Sequence, residues 1–382
     1  MTISYRLSDI YNLQMGKTPS RDNDTYWKDG EYEWISIADL SKCDKYISQT
    51  KEKITKKAVE ESGIHIIPAD TVIMSFKLSI GKVAITQKAL FSNEAIMAFI
   101  DKKVVSISPQ YAFYLFSAQN WDAGTNRAVM GSTLNKATLS QYRVLIHDVQ
   151  TQAEIVERLD KLSDLIRHRR QELQKLDDLV KSQFIEMFGG IPQEDFVPLS
   201  ELCKIITDGT HQPPKFYDNG IPFLFVSNIA NNEINYDTEK YISKETYLEL
   251  IRRTPIEIGD ILLSTVGSYG HPAIVTDSKK FCFQRHIAYL KPDGDLIESR
   301  YLHGALLSPI GQEQIERGVK GIAQKTLNLS EIRKIRVPLV SMEQQKAYSA
   351  FCLQLDKSKF RIKQNLEKLE ILYKSLLQEY FG

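Results

Sequence analysis

The sequence predicts a mixed α/β (α+β) protein in which two globular domains, in a pseudo-twofold arrangement, are joined by two long helices forming an antiparallel coiled coil. A length of 382 residues is more than one hydrophobic core usually organises. An internal repeat also indicates two domains, and a heptad pattern at the end of each half indicates the two long helices. With 42% hydrophobic and 25% charged residues, the chain can build globular cores.

The internal repeat becomes visible when the two halves are aligned at an offset of roughly 190 residues. Its clearest match joins RQELQKLDDLVKSQFIEMFG at 170–189 with KQNLEKLEILYKSLLQEYFG at 363–382. Weaker matches join RLSDI at 6–10 with PLSEL at 198–202, and TVIMSFKLSIGKVAI at 71–85 with DILLSTVGSYGHPAI at 260–274. Because this period is too long for a solenoid, we infer a duplicated two-domain chain.

Apolar residues in both repeated tail segments recur in alternating steps of four and three, which is the heptad pattern of a coiled coil. Gly189 and Gly382 are placed as helix stops, and only Arg169 and Lys359 interrupt the apolar seam. We favour mutual antiparallel pairing, which would place the globular domains at opposite ends; two amphipathic helices packed separately on their own domains are the alternative. The predicted seam consists of Ile155, Leu159, Leu162, Ile166, Leu173, Leu176, Leu355, Ile362, Leu366, Leu369 and Leu376.

These patterns divide the chain into four parts: a globular domain at 1–149, a central helix at 150–188, a second globular domain at 189–341 and a C-terminal helix at 342–382. Short β-rich runs separated by Gly, Pro, Asn and Asp predict mixed sheets in both domains, but they do not determine the strand order. The predicted strands are at 33–37, 71–76, 83–86, 223–226 and 260–264, and the predicted short helices are at 109–118 and 299–316.

Motifs for catalysis, metals and membranes fail on inspection. GKT at 16–18 lacks the upstream glycine of a phosphate loop, and QPPKF at 212–216 lacks the polar and aromatic positions of an amino-methyltransferase signature. His211 near Asp208 could suggest acid–base chemistry, but a turn residue is the simpler interpretation. The four cysteines form no CxxC pair, and no apolar run approaches the roughly 18 residues of a membrane span. We therefore expect a cytoplasmic, non-catalytic protein without a metal site.

The order of several motifs resembles the specificity subunit of type I restriction-modification systems over essentially the whole chain. Each motif is loose by itself, but their order, the duplication and the paired helices together are specific. One departure is the entry to the first helix, IHDVQTQAEI at 146–155, where the family has Pro-rich text ending in Glu-Gln; the second entry, VPLVSMEQQ at 337–345, keeps more of it. The motifs are GKTPS at 16–20, Tyr26-Trp27, Gly30, WISIADL at 34–40, SIGKVAI at 79–85, the run at 93–99, DGTHQPPKF at 208–216, GIPFLFVSNI at 220–229, and the stretches at 131–140 and 321–330.

This resemblance implies that both globular domains are target-recognition domains and that the chain is a non-catalytic DNA-reading subunit. Each domain would read one half-site in double-stranded DNA, and the helices would set an unread spacer between the two. Two modification subunits would hold SAM and transfer the methyl group, whereas restriction subunits would add cleavage. The net charge of only +1 is then tolerable, because partner subunits could neutralise many phosphates.

Polar and cationic loop residues are the candidate DNA contacts. Arg and Lys contact phosphates or guanine edges, Asn and Gln suit adenine, and hydroxyl groups bond to either. Any one of these residues could instead be an ordinary surface residue. The candidates are Thr18, Arg21, Lys77, Ser79, Lys82, Asn93 and Lys136 in the first domain, and Thr210, His211, Lys215, Ser268, Tyr269, His271, Arg285 and Lys325 in the second.

Two other functions remain open at this point. A stand-alone methyltransferase or nuclease would need a cofactor or metal motif, and SAM binding by the isolated chain would support that function. A coiled-coil scaffold or interaction protein would show no sequence preference in DNA binding.

Overall fold

The computed structural model describes residues 2–77, 79–121, 126–128, 131–321 and 324–382, without the side chains at 126–128 and 131–133. Parts of the two sequence stretches at 131–140 and 321–330 therefore lie outside the described residues. The chain divides into unit 1, Met1–His168 with Asn365–Gly382, and unit 2, Arg169–Gln364. Each long helix thus contributes one part to each unit. The domain limits inferred from the sequence stay a prediction.

The first half of the chain folds into small mixed sheets, short helices and one long helix. Its elements are β1 (Ile3–Arg6), α1 (Leu7–Ile10), β2 (Tyr11–Met15), β3 (Tyr32–Ile35), α2 (Ile37–Leu40), β4 (Tyr46–Ile47), β5 (Glu52–Ile54), α3 (Lys56–Glu61), β6 (Val72–Ser75), β7 (Val83–Thr86), β8 (Phe91–Ser92), β9 (Ile96–Asp101), α4 (Pro109–Ala118), β10 (Asn126–Ala128), β11 (Gly131–Thr133), α5 (Lys136–Gln141), β12 (Arg143–Ile146) and α6 (Val149–Phe188).

The second half repeats this order with one additional helix, α10 (Pro309–Gly318), and without counterparts of α2 and β4. Its elements are β13 (Phe196–Pro198), α7 (Leu199–Leu202), β14 (Cys203–Asp208), β15 (Ile221–Leu224), β16 (Tyr241–Ile242), α8 (Lys244–Leu250), β17 (Ile261–Ser264), β18 (Pro272–Ile274), β19 (Cys282–Phe283), β20 (Ile287–Pro292), α9 (Ser299–Leu307), α10 (Pro309–Gly318), β21 (Val319–Lys320), β22 (Thr326–Leu327), α11 (Leu329–Ile332), β23 (Arg336–Pro338) and α12 (Met342–Phe381).

The sheets of the two units share a topology except that β4, which pairs parallel with β7, extends the main sheet of unit 1 by one strand. The main sheet has the order β2-β9-β6-β7-β4 in unit 1 and β14-β20-β17-β18 in unit 2. Each unit also has a three-stranded sheet with one parallel pair, in the order β5-β3-β8 in unit 1 and β16-β15-β19 in unit 2. The first and last short strands of each half pair with each other, as β1-β12 and β13-β23. This equivalence confirms that the sequence repeat reflects a duplicated mixed α/β fold.

Apolar cores cover both faces of each main sheet. In β6, Val72 and Met74 join a core with α4 and the long helices, whereas Ile73 joins a second core on the other face. In β17, Ile261 and Leu262 divide in the same way. Strands buried on both faces read as continuous apolar runs, which is why these segments were recognisable as strands.

One predicted helix is wrong in its extent. The segment 299–316, expected to be a single helix, forms α9 and α10, which are separated at Ser308. The Ser308 hydroxyl accepts a hydrogen bond from the Gly311 N–H, and Pro309 takes the first position of α10. Proline fits the first turn of a helix but not its interior, so the chain begins a new helix here.

The two long helices pack antiparallel within each unit. In unit 1, Ile155 and Leu159 of α6 share a core with Tyr373, Leu376 and Phe381 of α12. The same core lies beneath α4, so the helices pack on their unit as well as on each other. This arrangement confirms the predicted antiparallel pairing for this end of the seam.

Unit 2 uses the opposite ends of the same helices. Val180 of α6 and Leu355 of α12 belong to one core, and the Tyr348 hydroxyl donates to the Val180 carbonyl at 3.2 Å. Lys359, which interrupts the predicted seam, forms an ion pair with Asp177 at 2.6 Å. Along the predicted seam, Ile155, Leu159, Leu162 and Ile166 are buried, and the other members are half-buried.

A buried glutamine joins each long helix to its globular part. In unit 1, Gln152 accepts from the Ser108 N–H at 3.2 Å and donates to the carbonyls of Ser106 and His147 at 2.8 and 2.9 Å. Ser108 is the N-cap of α4, so one side chain connects α4, the chain before α4 and the start of α6. Both the oxygen and the nitrogen of the Gln152 amide therefore have hydrogen-bond partners, as a buried amide requires.

Gln345 makes the same connections in unit 2. It accepts from the Glu298 N–H at 2.8 Å and donates to the carbonyls of Leu296 and Val340 at 3.2 and 3.0 Å. Although the sequence before the first helix departs from the family pattern, Gln152 therefore gives both junctions the same geometry.

We predict that Gln345→Leu lowers the free energy of unfolding of unit 2 by about 1–3 kcal/mol, because one N–H and two carbonyl groups lose their side-chain partner at a partly buried junction. Denaturant titration followed by circular dichroism measures the effect. Gln354→Leu, on an exposed face of the same helix, is the matched control. Equal stability of the two variants would contradict the structural role of Gln345.

Candidate nucleic-acid interface

Four loops meet at one edge of the main sheet in each unit. Neighbouring main-sheet strands β2, β9, β6 and β7 are antiparallel, so the ends of β2 and β6 lie beside the beginnings of β9 and β7. The same holds for β14, β20, β17 and β18. We define loop A as 16–23 and 209–220, loop B as 76–82 and 265–271, loop C as 93–95 and 284–286, and loop D as 126–136 and 319–329.

Backbone hydrogen bonds join these loops into one continuous surface in unit 1. Lys17 of loop A donates to the Ser92 carbonyl next to loop C at 2.8 Å. Phe76 of loop B donates to the Ala95 carbonyl of loop C at 3.0 Å, and Leu134 of loop D donates to the Phe76 carbonyl at 3.1 Å.

Unit 2 repeats each of these connections. Thr210 donates to the Phe283 carbonyl at 3.1 Å, Thr265 to the His286 carbonyl at 3.0 Å, and Leu327 to the Thr265 carbonyl at 2.8 Å. These hydrogen bonds fix the described backbone at the points where the loops meet, and the exposed side chains of the loops differ between the two units.

A glycine at the start of loop A permits its close approach to loop C. A Cβ atom on Gly16 would lie 2.1 Å from the Asn93 carbonyl oxygen, and one on Gly209 would lie 2.2 Å from that of Phe283. Backbone atoms cannot move aside cheaply, so only glycine fits at these two positions.

All candidate DNA contacts inferred from the sequence lie in these four loops. The assignment of individual residues to DNA stays a prediction. Loop A carries Thr18, Arg21, Thr210, His211 and Lys215; loop B carries Lys77, Ser79, Lys82, Ser268, Tyr269 and His271; loop C carries Asn93 and Arg285; loop D carries Lys136 and Lys325.

Arg21 is held in a fixed position. Its guanidinium lies 3.7 Å from the Trp27 ring centroid and 4.9 Å from that of Trp34. Glu52 accepts two hydrogen bonds from it, at 2.5 and 3.1 Å. A side chain stacked and paired in this way has lost most of its rotamer freedom before any ligand binds.

His211 and Asp208 belong to a hydrogen-bonded cluster that also contains Arg253. His211 Nε2 lies 2.8 Å from Asp208 Oδ2, and the Arg253 guanidinium bonds to the other Asp208 oxygen. Arg253 also donates to Thr207. The sequence patterns did not indicate Arg253, which lies 45 residues from Asp208 along the chain and contacts the end of β14, next to loop A, only through the fold.

A second cluster joins loops B and D. The Tyr269 hydroxyl donates to Glu316 at 2.5 Å, and Lys325 Nζ lies 3.3 Å from that hydroxyl and 3.4 Å from the Glu316 carboxylate. Since Glu316 belongs to α10, the additional helix of unit 2 supports the loop surface on this side.

Loops B, C and D of unit 2 enclose a pocket of about 420 Å³. Arg285, His286 and Gln324 contribute polar side chains to its wall. Desolvation, together with the nearby Arg285 charge, lowers the pKa of His286. Desolvation also lowers the pKa of His271 in loop B. Neutral imidazoles present one donor and one acceptor each, which suits the recognition of base edges.

Within the part of the chain that the structure describes, no group of three or more His, Cys, Asp or Glu residues is arranged to hold a metal ion. No helix in that part is both long and apolar enough to cross a lipid bilayer. Burial raises the pKa of Cys203 and Cys282 to about 12, so neither thiol is a ready nucleophile at neutral pH.

Two equivalent loop surfaces, each rich in hydrogen-bonding side chains and attached to paired helices, define a duplicated recognition protein. The model of the type I restriction modification DNA specificity domain matches residues 3–177 and 194–371. The chain therefore belongs to this family.

Individual relatives agree with the family. The MjaIX type I restriction enzyme specificity subunit of Methanocaldococcus jannaschii is 25% identical over 353 residues, covering 86% of this chain and 80% of its own. The EcoBI specificity subunit of Escherichia coli is 33% identical over 137 residues, covering 36% and 29%. A chain in a solved structure describing complex assembly and conformational transition of the type I R-M system has a TM-score of 0.54 at 17% identity, covering 99% and 97%, and supports the fold.

We predict that Gly209→Ala separates loop A from loop C and lowers the free energy of unfolding by about 1–3 kcal/mol, because the new methyl group meets backbone oxygens. Hydrogen exchange at the Thr210 amide should accelerate, since its bond to Phe283 is lost. Gly294→Ala is the control, because a Cβ there has no atom within 4 Å. Unchanged exchange at Thr210 would show that the contact is not restrictive.

Proposed function

We propose that the chain is the non-catalytic DNA-reading subunit of a type I restriction-modification enzyme, in which each unit reads one half of a bipartite target in double-stranded DNA. The observation that carries this proposal is the pair of equivalent loop surfaces with different side chains. Lys82 and His271, for example, both donate their backbone N–H to the hydroxyl of a preceding serine, at 3.0 and 2.9 Å. A common frame with different side chains is what two readers of different half-sites need.

Other subunits supply the chemistry in this proposal. Two modification subunits hold SAM and carry out methyl transfer, restriction subunits add cleavage, and the chain itself binds no cofactor. A net charge of +1 gives the chain little attraction for DNA by itself. Partner subunits therefore provide much of the phosphate neutralisation that dominates nucleic-acid affinity.

The helices α6 and α12 determine the unread spacer. Each has 40 residues, which corresponds to about 60 Å at 1.5 Å per residue. Because their ends are built into the cores of the two units, a change in helix length must change the separation of the half-sites or disrupt the assembly.

Exchange of one reader should change one half of the target. When residues 1–149 are replaced by the corresponding segment of a relative with a known, different target, we expect the methylated motif to change in one half only. Genome-wide methylation mapping in a host that supplies the modification subunits measures the motif. A change in both halves, or in neither, would refute independent reading.

Helix length should set the gap between the half-sites. We expect that one heptad inserted after His168 and one after Gln364 lengthens the unread spacer or abolishes activity. A heptad in only one helix is the control, because it breaks the pairing register and should abolish assembly. Full activity of the double-insertion variant on a target with the original spacer would exclude helix length as the determinant of the gap.

A further inference from the structure

The residues that flank the centre of loop C make the same backbone hydrogen bonds in both units. In unit 1 the central residue is Glu94: the preceding Asn93 donates to the Ile35 carbonyl at 3.0 Å, and Ile96 donates to the Asn93 carbonyl at 3.2 Å. The flanking strands β8 and β9 are buried, whereas Glu94 is exposed.

In unit 2 the equivalent residue is Arg285. Gln284 donates to the Leu224 carbonyl at 3.1 Å, and Ile287 donates to the Gln284 carbonyl at 3.1 Å. Arg285 is also exposed, and its own N–H donates to the Thr210 carbonyl of loop A at 3.0 Å. The fold thus presents one side chain from the same tight turn in each unit, with opposite charge.

Contacts within the loops hold the Glu94 carboxylate ionised. Desolvation opposes the charge, but the hydrogen bond from the Thr18 hydroxyl, the backbone N–H of Glu94 itself and the nearby cations of Lys77 and Arg21 lower its pKa. An ionised carboxylate only accepts hydrogen bonds. At a base edge in the major groove it can therefore bond to the amino groups of cytosine or adenine.

Arg285 offers the complementary chemistry. Its Nε lies 3.3 Å from His286 Nε2, and the side chain forms part of the wall of the unit 2 pocket. A guanidinium held by its Nε still has its terminal N–H groups available for the two acceptors of guanine, O6 and N7.

We propose that the central residue of loop C is a specificity-determining position in both units, where Glu94 reads the amino group of a cytosine or adenine and Arg285 reads a guanine. The inference rests on the proposed function and assigns to each half-site one base pair that this position determines. Glu94 lies outside the DNA contacts inferred from the sequence, because a carboxylate repels phosphates and contributes only where it meets a base edge.

The test uses the complete complex with its modification subunits. We expect Glu94→Gln to relax one position in the half-site of unit 1, and Arg285→Gln to relax one G·C position in the half-site of unit 2, each with a loss of discrimination of roughly 5- to 150-fold. Methylation mapping gives the motifs, and competition binding gives the discrimination. Glu60→Gln and Arg317→Gln, at exposed helical ion pairs, are the matched controls.

The charge change adds an independent readout. Glu94→Gln removes a negative charge, so non-specific DNA binding should strengthen while discrimination falls; Arg285→Gln should weaken both. Arg285→Lys keeps the charge but loses the bidentate geometry, and it should relax the same G·C position if Arg285→Gln does not assemble. The inference would be overturned by unaltered motifs, by a uniform loss of discrimination over all positions, or by relaxation at an A·T pair in the Arg285 variants. Absence of any bipartite motif with the wild-type chain would instead refute the proposed function.

Discussion

A single buried amide at the start of each long helix is the interaction on which the two-unit architecture depends. Gln152 and Gln345 each bond to one N–H and two carbonyl groups from two chain segments, one at the start of the short helix and one just before the long helix. A hydrophobic residue could fill the same space, but it would remove the partner of these partly buried backbone groups. The amide therefore fixes the position at which the helix leaves the globular part, and with it the heptad register.

Because the junctions are equivalent, the loop surfaces are equivalent as well. The main sheet lies against the core that contains the helix, and its loop edge is held together by backbone hydrogen bonds and by one glycine per unit, Gly16 and Gly209. None of these contacts depends on the identity of the exposed side chains. The exposed side chains can therefore differ between the units while this backbone frame stays the same.

The sequence was sufficient for the features that repeat with a short period or as long matches. Heptads predicted the paired helices, apolar runs predicted β6 and β17, and the duplication predicted two similar units. Other features depend on residues far apart in the chain. Gln152 lies in a segment without the prolines that the family usually has there. Arg253 contacts Asp208 across 45 residues. The meeting of the four loops depends on the strand order, which no local pattern determines. Glu94 is not among the predicted contacts because a carboxylate repels phosphates, although the alignment of NEA at 93–95 with QRH at 284–286 places it opposite Arg285.

Similarity between the units does not make their parts interchangeable. On α9, Gly304 leaves room for Tyr348 of the helix: a Cβ at Gly304 would lie 2.3 Å from the Tyr348 hydroxyl oxygen. The two units can be aligned at the N-caps of α4 and α9 and at their buried glutamines. In this alignment, Tyr114 of α4 and Ile155 of α6 form the equivalent pair in unit 1, so the large residue lies on the short helix instead. Both arrangements fill a close-packed core, but a mixture of them would create either a clash or a cavity. Each globular part is therefore fitted to its own helix ends, and the packing at α4 and α9 distinguishes the two ends of the helix pair.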